Sequence, residues 1–358
     1  MIIKKSDKRG DSYLKKIDFE AHFFTKNYLK ALSQNKDFPR FTGGHQGQSH
    51  RLMHTSDLIQ PYGKSLLNAI LDLGEGRLAD MDETGVDVQV LSLSAPGIEQ
   101  LDPGVGTSLS QEVNNALSKI TQKYPDRFMG FAALAPKAPE AAADELERTV
   151  KELGFVGWNT HSNFGDSYLD EDRYLPILAR AEKLEVPIYL HPAVPAMPQL
   201  RSYGFALAGP FGFTVDAGMS IMRLIFSGVF DKHPGLTFIL GHLGEALPFL
   251  IKRIDWAYVS PFDPSARPKL SKKPSEYLKN NVFVTTSGNY FEPAFLCTSA
   301  ALGVDRILLG TDYPYNDSGQ CIQFLEGLSI PIEEKEKIYH RNAVQLGIGP
   351  QDGIRTGS

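Results

Sequence analysis

The segment KKIDFEAHFFT, residues 15–25, is an apolar run in which polar side chains alternate with apolar ones. Asp18, Glu20 and His22 are each two residues apart, and residues at that spacing in a β-strand share one face of the sheet. A carboxylate and an imidazole, those of Glu20 and His22, would therefore point to the same side of a buried strand. A carboxylate and an imidazole on one face of a buried strand indicate a candidate site for metal binding or for acid–base chemistry.

Three later apolar runs also end in side chains that can bind metals. YLHP contains His191, LGHLGE contains His242 and Glu245, and LLGTDYPY contains Asp312. Carboxylate oxygens and imidazole nitrogens suit Zn²⁺ or Mn²⁺, with positions left over for water or substrate. Any one of these residues could be a hydrogen-bonded structural histidine or an aspartate that begins a turn. Their coincidence at four strand ends favours one common site.

The remaining histidines near these segments have less specific patterns. His161, in NTHSN, follows another predicted strand and could contact a substrate. His45, His50 and His54 lie in a polar segment after the first strand. A trio of this kind could bind a metal, but a solvated lid is the better interpretation.

These strand ends need a scaffold that brings them together, and eight β-rich runs alternate with helical patterns. The runs are KKIDFE, VDVQVLSLS, RFMGFAALA, GFVGWN, VPIYLHP, LTFILGH, VFVTTSG and RILLGTD. Between two of them, PEAAADELERTVKELG has apolar residues at helical spacing and Gly154 as its stop. The alternation predicts the α/β class, and eight repeats favour a (β/α)8 TIM-like barrel. A doubly wound open sheet is the alternative.

The pattern also predicts the organisation of the chain. We expect residues 1–13 to be an N-terminal extension, residues 14–346 a single metal-dependent barrel domain, and residues 347–358 a flexible tail, although the length alone also allows two domains. Long loops follow strands 1 and 5, at residues 33–63 and 192–212. Both would lie at the active-site end of a barrel, as a lid and a pocket wall. A surface insertion explains residues 33–63 nearly as well.

The composition argues against several classes of protein. The chain has 358 residues, of which 42% are hydrophobic and 22% charged, and its net charge is −5. That balance disfavours a nucleic-acid or anionic-membrane surface. The opening residues lack the apolar run of a secretory signal, and Arg223 interrupts the most apolar later stretch, so we expect a cytoplasmic protein. Cys297 and Cys321 form no CxxC motif and are predicted to be core thiols.

The strand-end residues resemble the decarboxylase branch of the amidohydrolase superfamily. That branch includes aminocarboxymuconate semialdehyde, γ-resorcylate and 5-carboxyvanillate decarboxylases. The resemblance covers residues 14–346 and is most specific in LDLGEGRLADMDETGVDVQVLSLSAPG, VPIYLHP, GVFDKHPGLTFILGHLGEALPF and DRILLGTDYPY. Glu20 stands where the semialdehyde decarboxylase has the first histidine of Asp-x-His-x-His, which is the pattern of the benzoate decarboxylases. His22 matches the γ-resorcylate type, whereas NTHSNFGDSYLDED is closer to the 5-carboxyvanillate type.

The resemblance implies a role for each matching residue. The implied metal ligands are Glu20, His22, His191 and Asp312. His242, held by Glu245, and Asp312 as proton donor would be catalytic. Arg253, Phe213 and Tyr315 match substrate-binding positions, to which we add His161. Where the 5-carboxyvanillate type has an arginine, this chain has Tyr62, with Lys64 nearby.

The predicted function is a metal-dependent, non-oxidative decarboxylation of an ortho-hydroxy aromatic carboxylate, which makes the chain a carboxy-lyase. The predicted fourth strand ends in VGWNTH without a lysine. Since dinuclear members of the superfamily use a carboxylated lysine there, the resemblance implies one divalent ion, Zn²⁺ or Mn²⁺. No organic cofactor is expected, and the expected state is a homodimer or homotetramer. The alternatives are a metal-dependent hydrolase, such as a lactonase of aromatic catabolism, and a barrel that has lost catalysis.

Overall fold

A computed structural model describes residues 14–43, 49–261, 264–265 and 267–349, so the predicted N-terminal extension and most of the predicted tail lie outside the described residues. Eight parallel strands form the central sheet, and each contains part of one of the eight predicted runs. They are β1 (Ile17–Phe23), β5 (Val88–Leu93), β6 (Phe128–Ala133), β7 (Gly157–His161), β8 (Ile188–His191), β9 (Phe238–Leu240), β10 (Val282–Thr285) and β11 (Ile307–Leu308).

The sheet closes on itself. Its strands follow the order of the chain from β1 to β11. The amide of Phe19 donates to the carbonyl of Leu309 at 2.8 Å, and the amide of His22 donates to that of Tyr313 at 2.7 Å. These bonds join the first strand to the last, which confirms the predicted (β/α)8 barrel and excludes the open sheet.

Most helical segments cover the outside of the barrel, but two short ones, Phe205–Leu207 and the left-handed turn His242–Glu245, lie at its carboxyl-terminal end. The helical segments are α1 (Lys26–Gln34), α2 (Lys64–Leu71), α3 (Glu75–Thr84), α4 (Pro103–Lys123), α5 (Pro139–Leu153), α6 (Leu175–Lys183), α7 (Phe205–Leu207), α8 (Phe213–Phe226), α9 (Val229–Lys232), α10 (His242–Glu245), α11 (Leu247–Val259), α12 (Pro274–Asn281), α13 (Glu292–Leu302), α14 (Ser318–Gly327), α15 (Ile332–Glu336) and α16 (Asn342–Gln345). Gly154 ends α5 at φ 73°, a left-handed conformation that suits glycine, as the sequence predicted.

A β-bulge in β1 changes which residues face the barrel interior. The register between β1 and β5 shifts between Asp18 and Ala21, so β1 contains one extra residue there. Ile17 and Phe19 pack in the interior with side chains such as Tyr189. Beyond the bulge, Ala21 and Phe23 instead pack in the outer layer, between the sheet and the helices. Glu20 and His22 therefore face inward where β1 ends.

The prediction that residues 33–63 form a loop was wrong. The described part contains the end of α1 and a three-stranded antiparallel sheet of β2 (Arg40–Thr42), β3 (His50–Met53) and β4 (Ile59–Tyr62). Phe41, Leu52 and Tyr62 are buried in the main core, where the ring of Tyr62 lies 5.9 Å from that of Phe24. The strands are too short for a clear alternation, and their apolar face exists only against the barrel.

Residues 192–212 are also more regular than a loop. They contain a 3₁₀ turn, Pro198–Arg201, then α7 and a π turn, Ala208–Gly212, that runs directly into α8. The helical stretch Phe205–Phe226 is long and apolar enough to cross a membrane by length and composition alone. In the fold, however, it contacts α10 and α12, and Asp216 within it is completely buried.

Candidate metal centre and substrate pocket

Four side chains meet at the carboxyl-terminal end of the barrel. One ligand atom from each of Glu20, His22, His191 and Asp312 lies within 4.8 Å of the others. Nε2 of His22 is 3.1 Å from Oδ1 of Asp312, and Nε2 of His191 is 3.6 Å from Oε1 of Glu20. The two histidines come from the ends of β1 and β8, and the aspartate follows β11, so the barrel topology itself produces the cluster.

Neighbouring groups hold these ligands in a suitable orientation. Nδ1 of His191 donates to the carbonyl of Pro192 at 2.8 Å, and Nδ1 of His22 is 3.1 Å from Oγ of Ser92. The Nε2 atoms are therefore the ones that face the centre. Thr285 donates its hydroxyl proton to Oε2 of Glu20 at 2.8 Å, which fixes that carboxylate.

The cluster fits a divalent cation. Oε1 of Glu20 is buried and has no hydrogen-bond partner among the described residues. An orphaned carboxylate oxygen is costly in a protein interior unless a cation binds it. Two carboxylates and two imidazoles also supply the oxygen and nitrogen donors that Zn²⁺ and Mn²⁺ accept.

The titration behaviour of His191 and Glu20 agrees with this assignment. Burial, followed by the repulsion of other histidines, holds the pKa of His191 well below its ordinary value, so its ring is neutral and can bind a cation. Burial opposes ionisation of Glu20, but His242 and His22 hold the pKa of Glu20 below its usual range. Burial raises the pKa of Asp312, although the hydrogen bond from His22 opposes that rise. The two carboxylates thus differ in their tendency to hold a proton.

His242 lies beside the cluster rather than within it. Its Nδ1 is 2.6 Å from Oε1 of Glu245, and its Nε2 is 3.9 Å from Oε1 of Glu20. Burial alone would lower the pKa of His242, but the carboxylates of Glu245 and Glu20 raise it to about 10. A cation bound in the cluster would oppose that increase. His242 can therefore donate a proton or a hydrogen bond at the edge of the site.

Backbone strain is concentrated in the same place. Among the described residues, six non-glycine residues have a positive φ, and five of them belong to this site. They include His242 at 52°, Glu245 at 51° and Asp312 at 60°. Left-handed conformations are unfavourable for these residue types, and such strain clusters where a structure has to aim functional side chains.

A pocket of about 1120 Å³ opens in front of the cluster. His191, His242 and Asp312 line its polar end. Its other walls are largely apolar and aromatic, and they include Phe205 and Phe213, whose rings meet edge to face at 6.0 Å. The site can therefore hold a planar apolar ligand against a cation and titratable groups.

The family model described as Amidohydrolase matches residues 17–346. The chain belongs to the amidohydrolase family. The predicted family is thus confirmed.

Individual relatives of this chain are decarboxylases. It is 36% identical over 299 residues to the gamma-resorcylate decarboxylase of a Rhizobium species, covering 80% of this chain and 90% of that protein. The 5-carboxyvanillate decarboxylase of Novosphingobium aromaticivorans, solved with manganese and 4-hydroxy-3-methoxy-5-nitrobenzoic acid, matches with TM-score 0.84 and 33% identity, covering 94% and 97% of the two chains. A dihydroxybenzoic acid decarboxylase from a Polaromonas species, with manganese and 2-nitroresorcinol, matches with TM-score 0.79 and 32% identity, covering 93% and 97%.

The structure brings most of the predicted site residues of this amidohydrolase together. The four predicted ligands form the cluster, and Glu245 holds His242 as expected. Phe213 and Tyr315 line the pocket. The hydroxyl of Tyr315 is 2.6 Å from that of Tyr62 and 2.8 Å from Oγ of Ser94. Tyr62 therefore supports a pocket residue.

Two predicted substrate-binding residues lie elsewhere. His161 is completely buried, with Nδ1 3.0 Å from Oε1 of Glu99, and its ring packs behind that of His191 at 5.5 Å. Arg253 lies on the exposed side of α11. Neither is among the described residues that line the pocket. Both follow motifs at the active end of the barrel, but the direction of a side chain there depends on packing.

Other residues of the amidohydrolase site were not predicted. His54, interpreted as part of a solvated lid, is only 5% exposed and lines the pocket. Cys297, expected in the core, is half-buried and also lines the pocket. Asp18 accepts from the amide and the hydroxyl of Thr311, next to Asp312. Asp18 precedes the bulge and lies between the inward-facing Ile17 and Phe19, so the prediction that Asp18 shares one face with Glu20 and His22 was wrong.

Proposed function

We propose that the chain is a metal-dependent, non-oxidative decarboxylase of an aromatic carboxylate with a hydroxyl group next to the carboxylate. The observation that carries this proposal is the cluster of Glu20, His22, His191 and Asp312 at the end of an aromatic-walled pocket. The full-length similarity to benzoate decarboxylases supports it. We propose one ion per chain, manganese or zinc, because β7 contains no lysine that could bridge a second ion.

The reaction requires a proton on the ring carbon that loses the carboxylate. Direct loss of CO₂ would leave an aryl carbanion, so protonation of that carbon comes first. The bond between the ring and the carboxylate then breaks, its electron pair returns to the ring, and CO₂ leaves. The ion, when bound, supplies a positive charge that attracts the carboxylate and the adjacent phenol oxygen.

Asp312 is the proposed proton donor. Asp312 lines the polar end of the pocket, where its carboxyl group can pass a proton to the ring carbon of a bound aromatic acid. Its left-handed backbone, at φ 60°, aims the carboxyl group toward the pocket that it lines. In the reverse reaction, once CO₂ has bonded to that ring carbon, the same carboxylate can take the proton from it, and the ring becomes aromatic again.

His242 is proposed to hold the substrate carboxylate at the edge of the cluster. Its Nε2 faces the cluster because Nδ1 is bound to Glu245 at 2.6 Å. A protonated ring in that position can donate a hydrogen bond to a carboxylate oxygen, and Glu245 keeps the ring oriented. The pair therefore acts in positioning and electrostatics rather than in metal binding.

The test is to incubate the metal-loaded protein with ortho-hydroxybenzoates in heavy water and to measure CO₂ and deuterium. We expect release of CO₂ and one deuterium at the vacated ring carbon of the phenol. Excess bicarbonate should drive carboxylation of the same phenol. If the hydroxybenzoates are inert while a lactone or an amide is hydrolysed, the proposal is wrong and the chain is a metal hydrolase.

We also propose that the chain forms a homodimer or a larger homo-oligomer. Helices α11 and α13 contact each other and expose several large apolar side chains, including Val259 at 54% and Leu296 at 49%. Apolar surface of this kind is typical of a protein interface. Light scattering should give a multiple of the chain mass, and Leu296→Lys should lower it, whereas Val105→Lys, at a similarly exposed apolar residue on α4, should not. A monomeric wild-type protein would contradict the proposal.

A further inference from the structure

The pocket is larger than a simple hydroxybenzoate needs. A dihydroxybenzoate has only about 11 non-hydrogen atoms, and pockets of roughly 300–1,000 Å³ already hold drug-sized ligands. The pocket here measures about 1120 Å³. Once a carboxylate and its neighbouring hydroxyl are placed at the polar end, most of the volume lies beyond the ring.

The walls of that remaining volume are apolar. Phe205, Phe211 and Phe213 come from the helical stretch that begins at Phe205, and Ala294 comes from α13. His54 closes this side, with its ring 5.8 Å from that of Phe205. A group that leaves water for these walls gains the free energy of apolar burial.

Cationic side chains are missing from these walls. Among the described residues that line the pocket, none is lysine or arginine. Arg201, on the preceding turn, is engaged with Asp57 at 3.0 Å and with the carbonyl of Pro195 at 2.6 Å.

The histidine on this side is neutral. Burial lowers the pKa of His54 to about 4, an effect that the hydrogen bond with Gln60 only partly offsets. A carboxylate placed in this part of the pocket would be desolvated without a cation beside it, which is unfavourable.

We propose that the substrate carries an apolar ring substituent larger than a methyl group on the side away from the cluster, and no second carboxylate. This inference rests on the proposed function, since the placement of the ring depends on the carboxylate lying at the cluster. It selects a class among the ortho-hydroxy aromatic acids: monocarboxylates with an alkyl chain or a further ring.

The test compares 2-hydroxybenzoates substituted at ring positions 4 or 5. The substituents are hydrogen, methyl, propyl, 3-methylbutyl, and a 2-carboxyethyl group of nearly the same size and shape as 3-methylbutyl. We expect kcat/KM for decarboxylation to rise by about fourfold for each methylene that is buried. The carboxyethyl acid should fall at least about tenfold below the 3-methylbutyl acid, because its end would be an unpaired buried charge.

A pair of variants locates the effect. Ala294→Phe should fill the apolar part of the pocket and abolish the gain from propyl over hydrogen. Ala300→Phe adds the same side chain on the exposed side of α13 and should leave that gain unchanged. Equal behaviour of the two variants would show that the substituent binds elsewhere and would overturn the proposal.

The outcomes separate this inference from the proposed function. If no 2-hydroxybenzoate loses CO₂, the proposed function fails. If 2-hydroxybenzoate itself loses CO₂ but propyl gives no gain, only this inference fails. Preference for the carboxyethyl acid would also overturn this inference. If Arg253→Ala then lost that preference and Lys252→Ala kept it, Arg253 would be the side chain that binds the second carboxylate.

Discussion

The buried histidine between β3 and β4 predicts how stability depends on pH. His54 is 5% exposed, its Nε2 is 3.1 Å from Oε1 of Gln60, and its ring packs on Phe205. Burial lowers the pKa of His54 from its ordinary value of 6.5 to about 4, the repulsion of His161 acts in the same direction, and Gln60 opposes it. We compare how much unfolding free energy the wild type and His54→Gln each lose when the pH falls from about 7.5 to about 5.

The sign and size follow from the two pKa values. Between pH 6.5 and about 4, the unfolded chain binds a proton at His54 and the folded chain does not. The stabilising contribution of the neutral ring is therefore fully present above pH 6.5 and is lost as the pH falls toward 4. A pH of about 5 lies about 1.5 units below the pKa of His54 in the unfolded chain, and each unit corresponds to about 1.4 kcal/mol. The loss of unfolding free energy at that pH is therefore about 2 kcal/mol.

Equilibrium unfolding in urea, followed by circular dichroism on the metal-free protein in a chelator, measures this quantity. Metal-free conditions remove the pH dependence of metal binding, and refolding by dilution establishes reversibility. On acidification, we expect the unfolding free energy of His54→Gln to fall by about 2 kcal/mol less than that of the wild type. His50→Gln, at the start of β3, controls for the exchange of an imidazole for an amide. Losses in His54→Gln and the wild type that agree within about 0.5 kcal/mol would refute the reasoning.

Four further substitutions test the site and its support. His191→Ala should lose the metal and turnover, whereas His242→Asn should keep the metal and lose turnover; equal metal loss, by elemental analysis, would make His242 a ligand. Thr285→Val removes the hydroxyl that binds Glu20 at 2.8 Å and should weaken metal affinity by about 10–100-fold in a competition titration with a chelating dye. Arg77 is fully buried and donates to four acceptors, so Arg77→Met should lower the unfolding free energy by about 3–5 kcal/mol in urea, and a loss below about 1 kcal/mol would contradict its structural role.

Much of the fold was predictable because its signals are local. The apolar runs fix strands by their period and length, and Gly154 ends α5 because the left-handed conformation it adopts suits glycine. The small sheet was missed because β2, β3 and β4 have only three or four residues each. Their apolar face is defined by packing against the barrel, and a short segment by itself does not specify such packing.

The same distinction between local signals and tertiary packing applies to the candidate metal centre. Position at a strand end is encoded in the chain, so Glu20, His22, His191 and Asp312 could be identified as a group from the sequence and the family resemblance. The direction of each side chain depends on contacts between distant segments. The bulge in β1 turns Glu20 and His22 inward, and the carbonyl of Pro192 orients the ring of His191.

The sequence by itself determined the barrel, the end at which its polar residues gather, and the chemistry of the cluster, because strand period and residue type are properties of the local chain. Only the tertiary structure decided that His54 enters the pocket while His161 and Arg253 do not. The burial of His54 and the exposure of Arg253 depend on which distant segments pack around them. Burial also sets the charge of His54, since an imidazole excluded from water and lacking a carboxylate partner stays neutral.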